Sequence, residues 1–387
     1  MAAAKRQRRT RRRVSGYRPR MRSWLISSGA LLLATAVATQ AGALDRPFAI
    51  QVVDDDSGAP VPCVTVRTVH GIALRSDIHG VIAFYEPGLM GRDVYFGTLG
   101  PPWEMAADWI GFRGVALAVS EGGSGTLRVR STGTAGACDA DDSDSVLVAQ
   151  GLPPLEERHG IRVRDAETGR GVPLVELRSG PRVWVTDSAG WAAILEPSFL
   201  GASHPFEARS HGFTSTPAPV TLDLARGGRS ELSVRREIPA ERLYRVTGGG
   251  IYRDSILLGE PTPLAEPLLN AQVVGMDSTH TAVHDGRLFW IWGDTLRPSY
   301  PLGHFKTAGA TSALPANGGL DPSVGVDLTY FTGDDGFSRG VADVRDEGLI
   351  WTSGLASIPG ANDGADALIG SYANVGPNWE RLDAGLV

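Results

Sequence analysis

Between Phe48 and Arg236 the chain alternates apolar and polar residues in short runs, each closed by glycine, proline, aspartate or serine. Ala49-Ile50-Gln51-Val52-Val53 and Ile161-Arg162-Val163-Arg164 have the period of two that sets one face of a strand in a core and the other in water. Val64-Thr65-Val66-Arg67 and Leu174-Val175-Glu176-Leu177 repeat the pattern. The steps Asp56-Ser57-Gly58 and Glu167-Thr168-Gly169 between them are tight turns whose glycine takes positive φ. Turns recurring about every eight to twelve residues predict a small β-sandwich.

The two stretches are copies. Val61-Pro62 matches Val172-Pro173, Ser76-Asp77 and Gly80 match Thr186-Asp187 and Gly190, and Glu86-Pro87, Gly91 and Phe96 match Glu196-Pro197, Gly201 and Phe206. Gly111-Phe112 matches Gly212-Phe213, and from Pro62 to Phe96 the offset between matched positions is constant to within a single position. A fixed offset of this kind is the signature of a duplicated structural unit. The expected order is sandwich repeat 1 at 47–130, a polar linker at 131–157 and sandwich repeat 2 at 158–237. The openings DSGAPVP and ETGRGVP, the steps SDIHG and TDSAG, and the late Gly-Phe resemble the carboxypeptidase-regulatory-like, transthyretin-like sandwich of exported bacterial proteins. That resemblance implies an immunoglobulin-like fold and no particular chemistry. His204-Pro205-Phe206-Glu207 has the ligand spacing of a zinc carboxypeptidase but lacks an evident third ligand.

The linker carries Asp139-Ala140-Asp141-Asp142-Ser143-Asp144, which suits a solvated spacer; a calcium loop would need a fuller ligand pattern. Two cysteines exclude a disulfide-dense scaffold. Cys63 sits in a strand pattern and Cys138 in the linker, so a free buried thiol and a bridge both stay open.

The first 43 residues have a different composition. Ten basic residues and no acids lie between Met1 and Arg22, Trp24 to Val37 is largely apolar, and Ala41-Gly42-Ala43 is a small-x-small cleavage pattern. These are the parts of a signal peptide, with Met21 a second candidate start. The apolar run is too short for a membrane span, so none is expected after its removal. Of 37 basic and 43 acidic residues, 27 and 43 remain beyond this leader, a net of −16. An acidic chain without a basic stripe is a poor binder of nucleic acid. The expected location is secreted, periplasmic or cell-surface.

From Arg242 a third texture begins, a separate domain at 242–387. Asp285-Gly286, ahead of Leu288-Phe289-Trp290-Ile291-Trp292, is a two-residue hairpin signal. Pairing outward from that turn sets His284 against Arg287 and Asp277 against Asp294. Directly opposed side chains stand about 4.5–5.5 Å apart at Cβ, where like charges destabilise a sheet. A raised pKa on one partner, or a cation between the two, relieves that repulsion. A bulge or an end residue turned to solvent avoids it. Both readings stay open here.

Gly275, Asp277, Gly286, Trp290, Trp292, Gly293, Asp294 and Thr295 resemble the first blade of a five-bladed β-propeller glycosidase-like family that includes furanoside-acting enzymes. The resemblance implies that Asp277 and Asp294 are the catalytic carboxylates. A separation near 5 Å is the geometry of a retaining mechanism. Trp290 and Trp292, as sugar platforms, and Asp321 and Asp327 are the candidate substrate-binding residues. Alternation makes the two tryptophans equally good as core. Asp334-Asp335-Gly336 reads as another turn. His280 and His284 share a strand face without a third ligand, so no metal and no cofactor is expected. Only 146 residues follow Glu241, against roughly two hundred or more for five four-stranded blades, so the propeller is expected to be incomplete.

The expected fold is therefore all-β: two sandwiches and an incomplete propeller-like domain. The leading functional expectation is an exported modular protein related to polysaccharide-acting glycoside hydrolases, truncated and inactive as given. The alternative is a non-catalytic envelope or extracellular β-module protein that binds carbohydrate or protein. A peptidase accessory role rests on fold analogy alone. An extracellular polysaccharide or envelope component is the expected partner.

Overall fold

The computed structural model describes residues 45–134, 136–215, 219–360 and 364–387. The expected signal peptide lies outside them. Among the described residues no helix is long and apolar enough to cross a membrane.

The first repeat contains eight strands: β1 (Phe48–Asp54), β2 (Thr65–Thr68), β3 (Ala73–Arg75), β4 (Val81–Phe84), β5 (Arg92–Thr98), β6 (Trp103–Glu104), β7 (Gly114–Val119) and β8 (Ser124–Ser131). They form two sheets, β4-β1-β8-β6 and β3-β2-β5-β7. Inward residues of both sheets meet in one core, with Ile50, Ile82, Phe84 and Leu127 from the first and Val66, Val94 and Phe96 from the second. Phe84 and Phe96 meet edge to face at 5.3 Å across it. Burying side chains of this size contributes about 1.5–3 kcal/mol each.

A short helix α1 (Ser143–Gln150) follows, then the second repeat: β9 (His159–Asp165), β10 (Glu176–Ser179), β11 (Arg182–Val185), β12 (Trp191–Ile194), β13 (Ser203–Arg209), β14 (Phe213–Ser215), β15 (Val220–Asp223) and β16 (Arg229–Arg236). Its sheets run β12-β9-β16-β14 and β11-β10-β13-β15, the first repeat's order with eight added to every strand number. In both repeats the first and last strands are parallel neighbours, β1 with β8 and β9 with β16. A second core gathers Ile161, Val163, Leu177, Ile194, Phe206 and Leu232.

The segment expected as a polar linker is exposed at residues 131–134 and 136–139, but from Asp141 it docks on the first sandwich. Asp144 Oδ2 accepts the backbone N–H of Ala83 at 2.9 Å, on edge strand β4. Asp77 Oδ2 accepts both the backbone N–H and the hydroxyl of Ser145, and the Ile78 N–H donates to the Asp141 carbonyl. Ser143 and Asp144 are buried. Cys63 and Cys138 are joined in a disulfide, Cα to Cα 5.8 Å, which ties this segment to the first sandwich. The acids look solvated in sequence because their partners are edge amides and turn residues distant along the chain.

The second repeat carries the same device. Helix α2 (Arg253–Leu257) places Asp254 Oδ1 against the Ala193 N–H at 2.8 Å, and Asp187 Oδ2 accepts the N–H and hydroxyl of Ser255. The Ser188 N–H donates to the Ile251 carbonyl. Each of these contacts is its first-repeat counterpart moved along the chain by the offset of the duplication. The duplicated unit is thus sandwich plus clasp helix.

Beyond it lie β17 (Gly275–Met276), β18 (His280–His284), β19 (Arg287–Trp292), β20 (Thr295–Arg297), β21 (Tyr300–His304), β22 (Ala308–Ala313), β23 (Thr329–Tyr330), β24 (Leu349–Ile358), β25 (Ala367–Val375) and β26 (Arg381–Leu386). They make three sheets, β17-β20-β21, β18-β19-β22-β23 and β24-β25-β26. The expected propeller is not seen: among the described residues these sheets are open and differ in strand number. β20 and β21 also leave the sheet of β19 and β22 to pair with β17, which a simple four-stranded blade does not do.

Candidate functional site

The hairpin forms where the alternation placed it. Asp285 and Gly286 take φ of 47° and 70°, as the tight turn requires, and His284 pairs with Arg287. The same register reappears beyond β18, where Gly275 pairs with Leu296 and Met276 with Thr295. Between them the ladder is interrupted at Ser278, whose φ is 51°. Asp277 donates its N–H to the Asp294 carbonyl at 3.2 Å, and Gly293 donates to the Asp277 carbonyl at 3.0 Å.

The Asp277 carboxylate folds over Gly293. A Cβ there would stand 2.3 Å from Asp277 Oδ1, so glycine is what leaves room for it. Burial first, then the charge of Asp277, pushes the Asp294 carboxyl above its ordinary pKa, while His304 opposes the shift. His304 Nε2 lies 2.9 Å from the Ser338 carbonyl, and His304 Nδ1 lies 3.2 Å from the Lys306 N–H. A carbonyl only accepts and an N–H only donates, so the imidazole is the neutral Nε2–H tautomer. Burial lowers its pKa. The arrangement sets two carboxyl groups side by side, with the proton held more tightly than usual on Asp294.

The other candidates are dispersed. Trp290 and Trp292 lie parallel, 6.2 Å apart, but Trp292 is buried against Ala310 and Leu328. Trp292 is therefore core, because Leu328 and Tyr330 pack on it beside Ala310 of the neighbouring strand, and it is corrected as a sugar platform. Trp290 is half-buried and donates its indole N–H to Ser312 Oγ. Asp321 caps its own turn at the Ser323 N–H. Asp327 accepts the Ala265 N–H at 2.9 Å. His284 Nδ1 meets Ser357 Oγ, and His204 stacks on Phe199. Asp139 pairs with Arg75, and Asp141 and Asp144 with Arg182, so three of the run's four aspartates are spent on arginines. Among the described residues no three His, Cys, Asp or Glu are grouped to hold a metal.

Asp327 alone of these candidates borders a groove of about 600 Å³, with Arg92, Glu266, Asn270, Gln272 and Tyr330 among its lining. Asp277 and Asp294 do not line it. Asn270 and Gln272 flank a kink in which Ala271 and Gln272 both have positive φ, 47° and 56°. Their amide groups donate to the Leu328 and Asp335 carbonyls at 2.7 Å each, leaving the amide oxygens as acceptors. Sequence patterning missed this groove, since Asn270-Ala271-Gln272 between apolar pairs has no motif. It also missed the clasps, for which Asp144-Ser145 and Asp254-Ser255, repeating at the duplication's own spacing, were a usable signal.

No protein-family model matches the chain, and no curated protein matches it. Among solved structures it is similar to the Bacillus anthracis TIE protein, at 12% identity over 50% of this chain and 34% of that one, with a TM-score of 0.17. The chain thus spans about a third of that protein's length. It is similar to GBS52, the minor pilin of Streptococcus agalactiae, at 9% identity over 51% of this chain and 99% of that one, TM-score 0.17. It is also similar to the shaft pilin spaA of Lactobacillus rhamnosus GG, at 8% identity over 51% and 100%, TM-score 0.19. Scores this low decide neither the arrangement of modules nor the activity of this chain. What the sheets themselves establish is an all-β protein built of sandwich repeats.

Proposed function

We propose that this chain is a non-catalytic, extracytoplasmic β-module protein that binds a neutral glycan of its envelope or surroundings through the groove beside Tyr330. The carrying observation is that the acceptor-rich groove is separate from the carboxylate pair. Three carboxylates, Glu266, Asp327 and Asp335, face one guanidinium, Arg92, along its lining. That balance disfavours anionic ligands and favours hydroxyl donors. Its volume is in the range of small-ligand sites. The disulfide supports an oxidising compartment, hence export. The test is calorimetric titration of the full chain with neutral oligosaccharides. Asp327→Ala and Tyr330→Phe are expected to weaken binding at least about fivefold, and Asp294→Asn to leave it unchanged. Absence of saturable binding across neutral glycans overturns the proposal.

The raised pKa of Asp294 beside Asp277 favours a second reading, glycoside hydrolysis. It predicts release of reducing ends from a furanoside polysaccharide, abolished by Asp277→Asn or Asp294→Asn without loss of fold.

A further inference from the structure

The clasp helices stand between the two repeats, and each brings one acid to the opposite repeat at the same offset that relates its contacts with its own. Asp144 of α1 is close enough to Glu196 of the second repeat for their charges to interact, and Asp254 of α2 stands in the same relation to Glu86 of the first. Exchanging the two repeats, position for position, converts one acid pair into the other. Ser143 meets Ser198 in the turn after Glu196, and Arg253 meets Tyr85 and Glu86 at the equivalent turn of the first repeat. A contact in which patch i meets patch j while j meets i is isologous, the geometry of a two-fold dimer.

The charges do not share that symmetry. Among the described residues, every ion pair crossing between the repeats has its acid on the first and its arginine on the second. These are Asp45 with Arg158 at 2.8 Å, Asp141 with Arg182 at 2.6 Å, Asp144 with Arg182, and Glu86 with Arg253 at 3.0 Å. Arg245, also C-terminal to the second sandwich, adds its field to Glu86, Asp187 and Asp254. At the first-repeat positions equivalent to Arg182 and Arg253 stand Ile72 and Ser143. The first repeat's own basic group at this contact, His70, is buried against Gly249 and held neutral, its pKa lowered to about 4 by burial and by Arg245.

We propose that the repeats form an internal pseudo-dimer whose contact face has one shape on both units but divided charge, so that the first repeat accepts only a unit bearing the second repeat's arginines, in this chain or from a second copy, and cannot pair with itself. Two first repeats meeting through this face would bury Glu86 and Asp144 from both copies with no arginine among them. Removing one partner from a buried ion pair is strongly destabilising because it strands the other charge. The division of charge therefore acts as a selector against the wrong pairing.

The test uses the full chain carrying Arg182→Gln and Arg253→Gln together. Protection of the Ala83 and Ala193 amides, which the clasp carboxylates accept, is followed by hydrogen exchange. At pH 8 both protection factors are expected to fall about tenfold or more. At pH 5 they are expected to recover, because burial already raises Glu86 to about 7 and Asp144 and Asp254 to about 6 with the arginines in place, and losing the arginines raises them further. Adding Glu86→Gln and Glu196→Gln is expected to restore protection at pH 8. Arginines that serve only as packing would show no rescue by removal of acids, and that result, or unchanged protection in the double variant, overturns the proposal. Should the double variant fail to fold at pH 8, the quadruple variant, in which each clasp aspartate has lost its facing glutamate, still decides, since it must fold there. The groove plays no part in this readout.

Discussion

The carboxylate of Asp187 accepts the backbone N–H and the hydroxyl of Ser255, each at 2.7 Å, while its other oxygen takes the N–H groups of Ala189 and Trp191. One buried side chain thus joins a turn, a strand and the clasp helix. Asp187→Ala strands buried donors at about 1–3 kcal/mol each before relaxation, so a loss on the order of 3 kcal/mol is expected in urea unfolding. Ser255→Ala removes one hydroxyl and is expected to cost about 1 kcal/mol.

The buried acids of the clasp contact are expected to lose stability as pH rises from about 5 to 8, outweighing the opposite slope of His70, whose lowered pKa favours the fold as pH rises toward 6.5. Burial raises Glu86 from 4.5 to about 7, so the folded state holds a proton that the unfolded chain releases. Its contribution is complete below the unfolded pKa and lost as pH passes the folded one, up to about 3 kcal/mol across the window. Asp144 and Asp254, raised to about 6, act in the same direction from 3.8 upward. Denaturant midpoints across this pH range measure the slope, which Glu86→Gln is expected to flatten.

Asp277→Asn is expected to lower the pKa of Asp294, since the charge of Asp277 contributes to raising it. Carbon-detected NMR titration of the Asp294 carboxyl follows this directly. Gly293→Ala, which drives a methyl into Asp277 Oδ1, is expected to shift the same titration by displacing that carboxylate. An unmoved titration in both variants means that the two groups do not interact.

Reduction of the Cys63–Cys138 bridge, 75 residues apart in sequence, is expected to cost about 2–4 kcal/mol. Thermal unfolding of Cys63→Ser/Cys138→Ser, and faster exchange of the Ala83 amide, are the observables. The second repeat, which has Leu174 where the first has Cys63, is expected to keep its Ala193 protection.

Trp292→Ala is expected to destabilise by about 3–5 kcal/mol, as deletion of a buried indole does. At half-buried Trp290 the loss is expected to be smaller. Equal, negligible effects on thermal unfolding would return both rings to the surface.

The alternation of Phe48 to Arg236 and its constant internal offset determined two sandwiches of like topology, because period-two burial and glycine turns are local properties. The turn at Asp285-Gly286 and the pairing it sets were equally local. What tertiary structure alone decided is where polar groups find partners. Asp141 and Asp144 read as solvated until β4 and Arg182 are brought to them, and Trp292 reads as a platform until Leu328 and Tyr330 pack on it. The groove at Asn270 and Tyr330 exists only where segments distant in sequence converge. Desolvation and hydrogen bonding depend on neighbours in space, and for these residues the neighbours lie far away along the chain.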